Sequence, residues 1–179
     1  MNNSSLIAEE GEILDIGYTI CFIKRGEELL LLNRNSPPVQ GLWNGVGGKI
    51  EKGETPLSSV QREVAEETNL FLEKNLFEYK GTISWAIDGE GSGGMEVFVV
   101  RINDDDLYPA PFEMDEGILA WKSVSWILSE DNHGVSPMIP YYLHTVLNEN
   151  QEVHHHFTVR HGKIIEYAKG RERKHIVVP

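Results

Sequence analysis

The stretch 47–70 constrains the fold more than any other part of the chain, because five glutamates lie within positions 51–67. Glu63, Glu66 and Glu67 are spaced i, i+3 and i+4, so on a helix they share one face. Like charges at this spacing repel one another, and carboxylates in a last turn also oppose the helix dipole. The arrangement therefore needs a stabilising partner, and a hard divalent cation, which takes oxygen ligands, is the simplest one.

The same stretch carries the signals of a helix. Thr55 is a good N-cap residue, and Pro56 suits the first helical position. Apolar residues at positions 57, 60 and 64 supply a buried stripe. The helix is expected to end near Asn69, because asparagine tolerates the left-handed C-cap conformation.

The remaining elements are mostly strands in hairpins. Strands are predicted at residues 14–24, 28–33, 77–87, 95–102, 117–124, 153–160 and 163–167, and a second helix at 137–147. Residues 35–41, 88–94 and 103–116 are predicted to be loops. These elements predict an α/β fold in which helices sandwich a mixed sheet. We expect one domain over residues 13–170, a loose arm at 1–12 and a tail at 171–179.

Composition narrows the classes of function. The net charge of −12 argues against a nucleic-acid polymer or an anionic membrane as the main partner. A small polyanion that arrives with metal ions remains compatible with it. The single cysteine, Cys21, lies in an apolar strand and is expected to be a buried thiol. Without a bilayer-spanning run or a signal-peptide pattern, a cytoplasmic location is expected.

From Gly48 the pattern runs glycine, five residues, Glu54, seven residues, and then Arg-Glu-Val-Ala-Glu-Glu-Thr-Asn-Leu at 62–70. This pattern resembles the Nudix box, the signature of the Nudix hydrolase family, at every charged position. The one departure is Asn69, where the family has glycine. Since asparagine also accepts the C-cap geometry, we expect the helix end to be preserved.

The resemblance implies a Nudix α/β/α sandwich with a catalytic loop–helix–loop that binds Mg²⁺ or Mn²⁺. Members of the family hydrolyse a nucleoside diphosphate linked to another group. By position, Glu63 and Glu67 resemble the principal metal ligands, Glu66 a further ligand, and the Gly48 carbonyl a backbone ligand. Such ions provide charge neutralisation, positioning and an activated water for phosphoanhydride hydrolysis.

The pair Glu54 and Arg62 resembles the pair that braces the loop against the helix in this family. Two alternatives to a catalytic site would also explain the glutamates. A glutamate-rich helix face is often merely solvated, but the loop, the cap and the spacing together disfavour that interpretation. The other alternative is a Nudix domain that senses nucleotides without cleaving them.

Beyond the box, the chain is similar to the MutT-like oxidised-purine nucleoside triphosphatases over most of residues 18–168. The similarity is carried by residues 41–49, the Asp115-Glu116 pair before Trp121, and the hairpin 156–167. It implies hydrolysis of 8-oxo-dGTP or a related triphosphate to the monophosphate and pyrophosphate. Such an enzyme contributes to DNA repair in the broad sense, because it removes oxidised nucleotides before polymerases can incorporate them.

On that resemblance, Asn44 matches an asparagine that contacts the base, and an amide that both donates and accepts suits a purine edge. Trp85 matches an aromatic residue that packs on the base. Thr19 and Arg34 match positions that line the same pocket, and Lys49 is a candidate phosphate contact. The structural alternatives are that Trp43 and Trp85 belong to the core and that Lys49 is merely solvated.

Glu116 resembles a carboxylate outside the box that joins the metal site, as a ligand or as the general base. Glu113 and Glu96 compete with it for this role. The chain departs from the animal-type enzymes at residues 129–134, where it lacks their Trp-Pro-Asp-Asp stretch. Asp131 or Asn132 is a candidate substitute for the residues that clasp the oxidised base, and the alternative is a different base preference.

Other substrates of the Nudix family are alternatives to an oxidised purine triphosphate. The features that mark enzymes for ADP-ribose, dinucleoside polyphosphates or coenzyme A do not match this chain well, and an RNA 5′ end stays an alternative. The run at 154–156 consists of three histidines. On a strand, His154 and His156 share a face and His155 points away. Strand histidines can bind zinc, but a packing or solvated role is favoured here because no acidic partner is evident.

Overall fold

The computed structural model describes residues 16–88, 90–105 and 108–171. The predicted arm at 1–12 and most of the predicted tail lie outside the described residues. The domain boundaries proposed from the sequence therefore stay predictions.

The described residues form nine strands, three α-helices and one 3₁₀ turn. The strands are β1 Ile16–Arg25, β2 Glu28–Arg34, β3 Trp43–Asn44, β4 Phe77–Ile87, β5 Gly91–Arg101, β6 Phe112–Met114, β7 Gly117–Ser123, β8 Val153–Arg160 and β9 Lys163–Gly170. The helices are α1 Pro56–Thr68, α2 Val124–Ile127 and α3 Ile139–Asn148, and the 3₁₀ turn is Lys74–Leu76.

The strands build one mixed sheet in the order β6-β7-β2-β1-β5-β4-β8-β9, and β3 pairs with β2. The pairs β1/β5 and β4/β8 are parallel, while the other pairs are antiparallel. One apolar cluster lies between the sheet and α3, and a second lies between the sheet and α1. The α/β fold predicted from the sequence, with helices on a mixed sheet, is confirmed.

Most element predictions are close to the observed bounds, and the largest difference is at the start of β5. The sequence predicts a loop at 88–94, whereas β5 begins at Gly91 and pairs with β4. Gly93 lies against the indole of Trp85, where a Cβ would come within 3.0 Å of the ring. The glycines therefore allow close packing of an extended strand, and they do not mark a loop here.

Two smaller differences concern β6 and α3. The short strand β6 lies inside the predicted acidic loop, and it forms because it pairs with β7. Helix α3 begins two residues later than predicted, at Ile139. None of the described helices combines the length and the apolar character needed to cross a membrane.

Candidate functional site

Helix α1 is positioned by its two caps. The Thr55 hydroxyl accepts a hydrogen bond from the backbone N–H of Ser58 at 3.2 Å. At the other end Asn69 adopts a left-handed conformation (φ 58°, ψ 18°), and its N–H donates to the Ala65 carbonyl. The asparagine that departs from the family pattern thus closes the helix as glycine would, as the sequence predicts.

The three glutamates of the helix face are not equivalent. Glu63 and Glu67 are buried, with 8% and 3% of their surface exposed, while Glu66 is exposed. Gly48 lies directly against Glu63, since a Cβ there would come within 2.6 Å of its carboxylate. The Gly47 N–H donates to Glu67 Oε2 at 2.6 Å. The glycine pair therefore brings the loop backbone onto the two buried carboxylates.

Arg62 holds the loop to the helix through a two-pronged contact with Glu54. Its Nε and Nη2 donate to Glu54 Oε1 and Oε2 at 2.8 and 2.9 Å. Its Nη1 donates to Glu63 at 2.7 Å and to Glu66 at 3.0 Å. The hydrogen bonds from Arg62 lower the pKa of Glu54 to about 2. These parallel hydrogen bonds tie the loop that carries Glu54 to helix α1.

Burial has the largest effect on the pKa values of the two buried carboxylates, Glu63 and Glu67. It raises the pKa of Glu67 to about 9; the Gly47 N–H opposes this effect, and the charges of Glu116 and Glu63 add to it. Burial also raises the pKa of Glu63, and Arg62 opposes the rise. A positive charge at close range is needed to keep Glu67 ionised at neutral pH.

Among the three acidic residues considered outside the box, the structure brings Glu116 to Glu67. Glu116 lies in the turn between β6 and β7, close enough to Glu67 to accept a hydrogen bond from its protonated form. Glu113 is exposed on β6. Glu96 is buried and accepts a hydrogen bond from the Tyr79 hydroxyl at 2.6 Å.

A residue that the sequence did not single out holds the Glu116 turn in place. Asn35 donates from its backbone N–H to the Glu116 carbonyl at 3.0 Å and from Nδ2 to the Asp115 carbonyl at 2.7 Å. Asn35 and Asp115, which the side-chain hydrogen bond joins, are 80 positions apart in the sequence. No local signal in the sequence could have identified this contact.

Arg34, expected in the base pocket, lies with the glutamates. Its Nη1 is 3.9 Å from Glu67 Oε1 and 3.7 Å from Glu116 Oε2. The guanidinium therefore adds positive charge to the carboxylate cluster.

Strand alternation separates Thr19 from Trp85. Thr19 pairs with Glu96, and Glu96 pairs with Thr82, so these three side chains share a face of the sheet. Thr82 and Trp85 are an odd number of positions apart in β4, which puts Trp85 on the other face. Tyr18 lies beside it, with ring centroids 6.4 Å apart. Tyr18, which the sequence analysis missed, thus faces Trp85 in place of Thr19.

Asn132 is engaged within its own loop. Its Nδ2 donates to the Trp126 carbonyl at 2.8 Å, and its Oδ1 accepts from the Gly134 N–H at 2.9 Å. Asp131 is exposed. The observed contacts thus give Asn132 a role in shaping the loop.

That loop lies next to Asn44, which belongs to the short strand β3 and pairs with Leu32. The Trp43 N–H donates to the Gly134 carbonyl at 2.8 Å. The side chain of Lys49 is exposed, while its carbonyl accepts from Arg62 Nη2 at 3.2 Å. Trp43, the neighbour of Asn44 in β3, therefore contacts the 129–136 loop.

The three histidines divide between the two faces of the sheet, as the strand pattern predicts. His154 contacts Thr82 at 2.8 Å and His156 contacts Ser84 at 2.9 Å through their Nδ1 atoms. His155 Nδ1 contacts the Tyr167 hydroxyl on the other face at 2.9 Å. These contacts pack the sheet and support the structural interpretation of the run.

The residues of the box fit a hard divalent cation in chemical type. Two buried carboxylates lie on one helix face, and within the described part of the chain Glu67 Oε1 has no hydrogen-bond donor. In residues 16–88, 90–105 and 108–171, however, no three acidic, histidine or cysteine side chains are grouped closely enough to enclose an ion. Arginine side chains contact the glutamates instead. The exposed Glu66 and Glu116 are the available additional ligands.

Comparisons with known proteins agree with this architecture. The family model of the NUDIX domain matches residues 15–142. A NAD-capped RNA hydrolase NudC from Haemophilus influenzae (strain PittGG) is 35% identical over 97 residues, which cover 51% of this chain and 36% of that protein. The oxidized purine nucleoside triphosphate hydrolase of Mus musculus is 30% identical over 105 residues, covering 58% of this chain and 64% of that protein.

The chain thus spans about a third of the NudC length and less than two thirds of the mouse protein. Among solved structures, the MutT protein from Bacillus halodurans has a TM-score of 0.67 and 25% identity, covering 87% of this chain and 97% of that chain. Nudix hydrolases generally use divalent metal ions. Because the NUDIX domain model matches more than half of the 179 residues, the chain belongs to the Nudix family.

Proposed function

We propose that this protein hydrolyses a phosphoanhydride bond in a nucleotide, using Mg²⁺ or Mn²⁺ held by Glu63 and Glu67. The observation that carries the proposal is the pair of buried carboxylates, spaced i, i+4, against the Gly47-Gly48 backbone. The pKa of Glu67 is raised to about 9 although Arg34 lies 3.9 Å away, so a stronger positive charge is needed to keep this carboxylate ionised at neutral pH. A divalent cation is the partner that this donor set fits.

Each residue has a proposed part in the reaction. Bound ions neutralise phosphate charge and lower the pKa of an attacking water. Glu63 and Glu67 are ligands, the Gly48 carbonyl and Glu66 complete the set, and Glu116 serves as a ligand or as the base that takes the proton from water. Arg62 and Glu54 keep the loop on the helix.

The preferred substrate is an oxidised purine nucleoside triphosphate such as 8-oxo-dGTP, cleaved to the monophosphate and pyrophosphate in the cytoplasm. Support comes from the mouse relative and from the Tyr18–Trp85 aromatic pair. Asn44, next to the 129–136 loop, is the proposed contact to the base edge. Lys49 and Asp131 are proposed contacts to phosphate and base, because both are exposed.

One experiment tests the reaction and the substrate together. The protein is incubated with Mg²⁺ and 8-oxo-dGTP, dGTP, ADP-ribose, a dinucleoside polyphosphate, or RNA with a 5′ triphosphate or NAD cap, and the products are identified. We expect pyrophosphate and the monophosphate from 8-oxo-dGTP at the highest kcat/KM. Release of orthophosphate alone, or no turnover of any compound, would contradict the proposal.

The aromatic pair offers a test of the substrate half. Trp85→Ala is expected to raise KM for purine triphosphates about tenfold, because base stacking contributes roughly 1–3 kcal/mol. The matched control is Phe71→Ala, since Phe71 lies beyond α1 with 86% of its surface exposed. Equal KM values for the two variants would refute a stacking role for Trp85.

A second candidate is cleavage at an RNA 5′ end, which the NudC relative favours at 35% identity. The net charge of −12 makes binding of a long RNA body unfavourable. Only the capped end would then be recognised. If the compounds bind to the protein but no products form, the protein is a nucleotide sensor without catalysis.

A further inference from the structure

Arg34 lies between the two carboxylates that belong to different parts of the proposed metal site. One nitrogen, Nη1, lies within 4 Å of both Glu67 on helix α1 and Glu116 in the β6–β7 turn. The Arg34 side chain is 18% exposed, Glu67 2% and Glu116 51%. The guanidinium therefore places one positive charge beside both carboxyl groups.

The contacts that Arg34 makes are incomplete. Distances of 3.7 and 3.9 Å are ion-pair distances, longer than the 2.7–3.2 Å of N–H···O hydrogen bonds. Within the described part of the chain, both Arg34 Nε and Glu67 Oε1 are buried without a hydrogen-bond partner. A buried ion pair that leaves a donor and an acceptor unpaired is weakly held.

The backbone around Arg34 is fixed while its side chain is loosely held. Arg34 ends β2 and pairs with Gly117 of β7, directly after Glu116. Its N–H donates to the Leu42 carbonyl, and its carbonyl accepts from the Gly41 N–H at 2.8 Å. A change in the position of the guanidinium therefore does not require these backbone hydrogen bonds to break.

We propose that Arg34 is an internal counter-cation of the metal-free site, which competes with the divalent ion for Glu67 and Glu116 and leaves them when the ion binds. The proposal rests on the proposed function, because it presumes that the glutamates bind metal. Two cations close to the same carboxylates repel each other, and inner-sphere coordination displaces a contact made without hydrogen bonds. The arginine thereby lowers the metal affinity of the site, and it occupies the space beside Glu67 and Glu116 between metal-bound states.

The test measures metal binding in the absence of nucleotide. The dissociation constant of Mn²⁺ is determined by electron paramagnetic resonance for the wild type, Arg34→Gln, Arg34→Lys and the control Arg101→Gln. Arg101→Gln removes the same charge, but Arg101 contacts Glu78 and the Leu147 carbonyl, away from the site. We expect about tenfold tighter binding in Arg34→Gln, equivalent to about 1.4 kcal/mol, and wild-type affinity in Arg101→Gln.

Arg34→Lys keeps the charge, so its affinity is expected within about threefold of the wild type. Thermal melts add a second readout: the Tm of metal-free Arg34→Gln falls below the wild type, and saturating Mg²⁺ closes the gap. Unchanged Mn²⁺ affinity in Arg34→Gln would overturn the proposal and leave the proposed function standing. Absence of Mn²⁺ binding to the wild type at millimolar concentration would refute the proposed metal site itself.

If metal-free Arg34→Gln does not fold, Mn²⁺ must restore its folding, since the ion then supplies the missing charge. The circular dichroism of that variant with and without Mn²⁺ decides this case. Failure to fold at every Mn²⁺ concentration would overturn the proposal.

Discussion

Two arginines meet the same row of glutamates in different ways. Arg62 places three nitrogens within 2.7–3.0 Å of the carboxylates of Glu54, Glu63 and Glu66. Arg34 approaches Glu67 and Glu116 no closer than 3.7 Å. Both arginines carry the same charge, so the difference lies in geometry.

That difference separates a brace from an exchangeable contact. A planar fork matched to a carboxylate gains strength and direction from two parallel hydrogen bonds. A guanidinium held at ion-pair distance contributes charge but little direction, so a competing cation can replace it. The Arg62 side of the site should therefore govern stability, and the Arg34 side should respond to metal.

The largest effect is expected at Glu67, on the Arg34 side. Glu67→Gln should lower Mg²⁺-dependent turnover at least about a hundredfold, since even indirect supports of a metal site cost 10–100-fold. The fold should remain, and steady-state kinetics with circular dichroism check both parts. Glu73→Gln, an exposed glutamate beyond α1, is the matched control. Near-normal turnover in Glu67→Gln would show that the metal site has been misassigned.

An intermediate effect is expected for Arg62→Gln, on the brace side. Turnover should fall about tenfold because Glu63 and the loop lose their support, and Tm should fall by a few degrees. Arg101→Gln serves again as the control. If Arg62→Gln changed only metal affinity and left Tm unaltered, the distinction between the two arginines would be lost.

The pH dependence of that stability difference has a defined sign. Arg62 lowers the pKa of Glu54 from 4.5 to about 2, so the contribution of the pair is present above pH 4.5. It is lost as the pH falls through about 2, because Glu54 then takes up a proton in the folded state as well. Melts of the wild type and Arg62→Gln should therefore converge between these pH values. A constant gap down to pH 2 would argue against the pair as its cause.

The smallest effect is expected for Asn35→Ala, which removes one hydrogen bond to the turn that carries Glu116. A net contribution of about 1 kcal/mol corresponds to roughly fivefold weaker Mn²⁺ binding. Gln40→Ala is a close control, because Gln40 donates to the Asn35 carbonyl and does not contact the turn. Equal affinities in the two variants would remove Asn35 from the account.

The parts of the site that depend on local sequence were predictable. The caps at Thr55 and Asn69 and the helical spacing of Glu63 and Glu67 depend on residues only a few positions apart. The cap chemistry fixed the helix limits, and the 3.6-residue period fixed which glutamates share a face. This is why α1 agrees with its prediction at both ends.

The parts that depend on strand register were not predictable. A shift of one residue changes the face of a side chain, so Tyr18 lies beside Trp85 where Thr19 was expected. The pairing of Arg34 with Gly117 joins segments far apart in the chain, and this pairing brings Arg34 to the glutamates. Of the three glycines at the start of β5, Gly93 and Gly94 pack against neighbouring side chains, and single-residue propensity does not contain such contacts.

The central claim is that Arg62 stays on its glutamates and Arg34 leaves them when metal binds. Nitrogen-15 NMR of the arginine Nε–H groups during a Mg²⁺ titration tests it directly, with Arg34→Gln and Arg62→Gln spectra assigning the two signals. The account predicts that the Arg34 signal moves with Mg²⁺ while the Arg62 signal keeps its position. An unchanged Arg34 signal at saturating Mg²⁺, or displacement of the Arg62 signal instead, would contradict it.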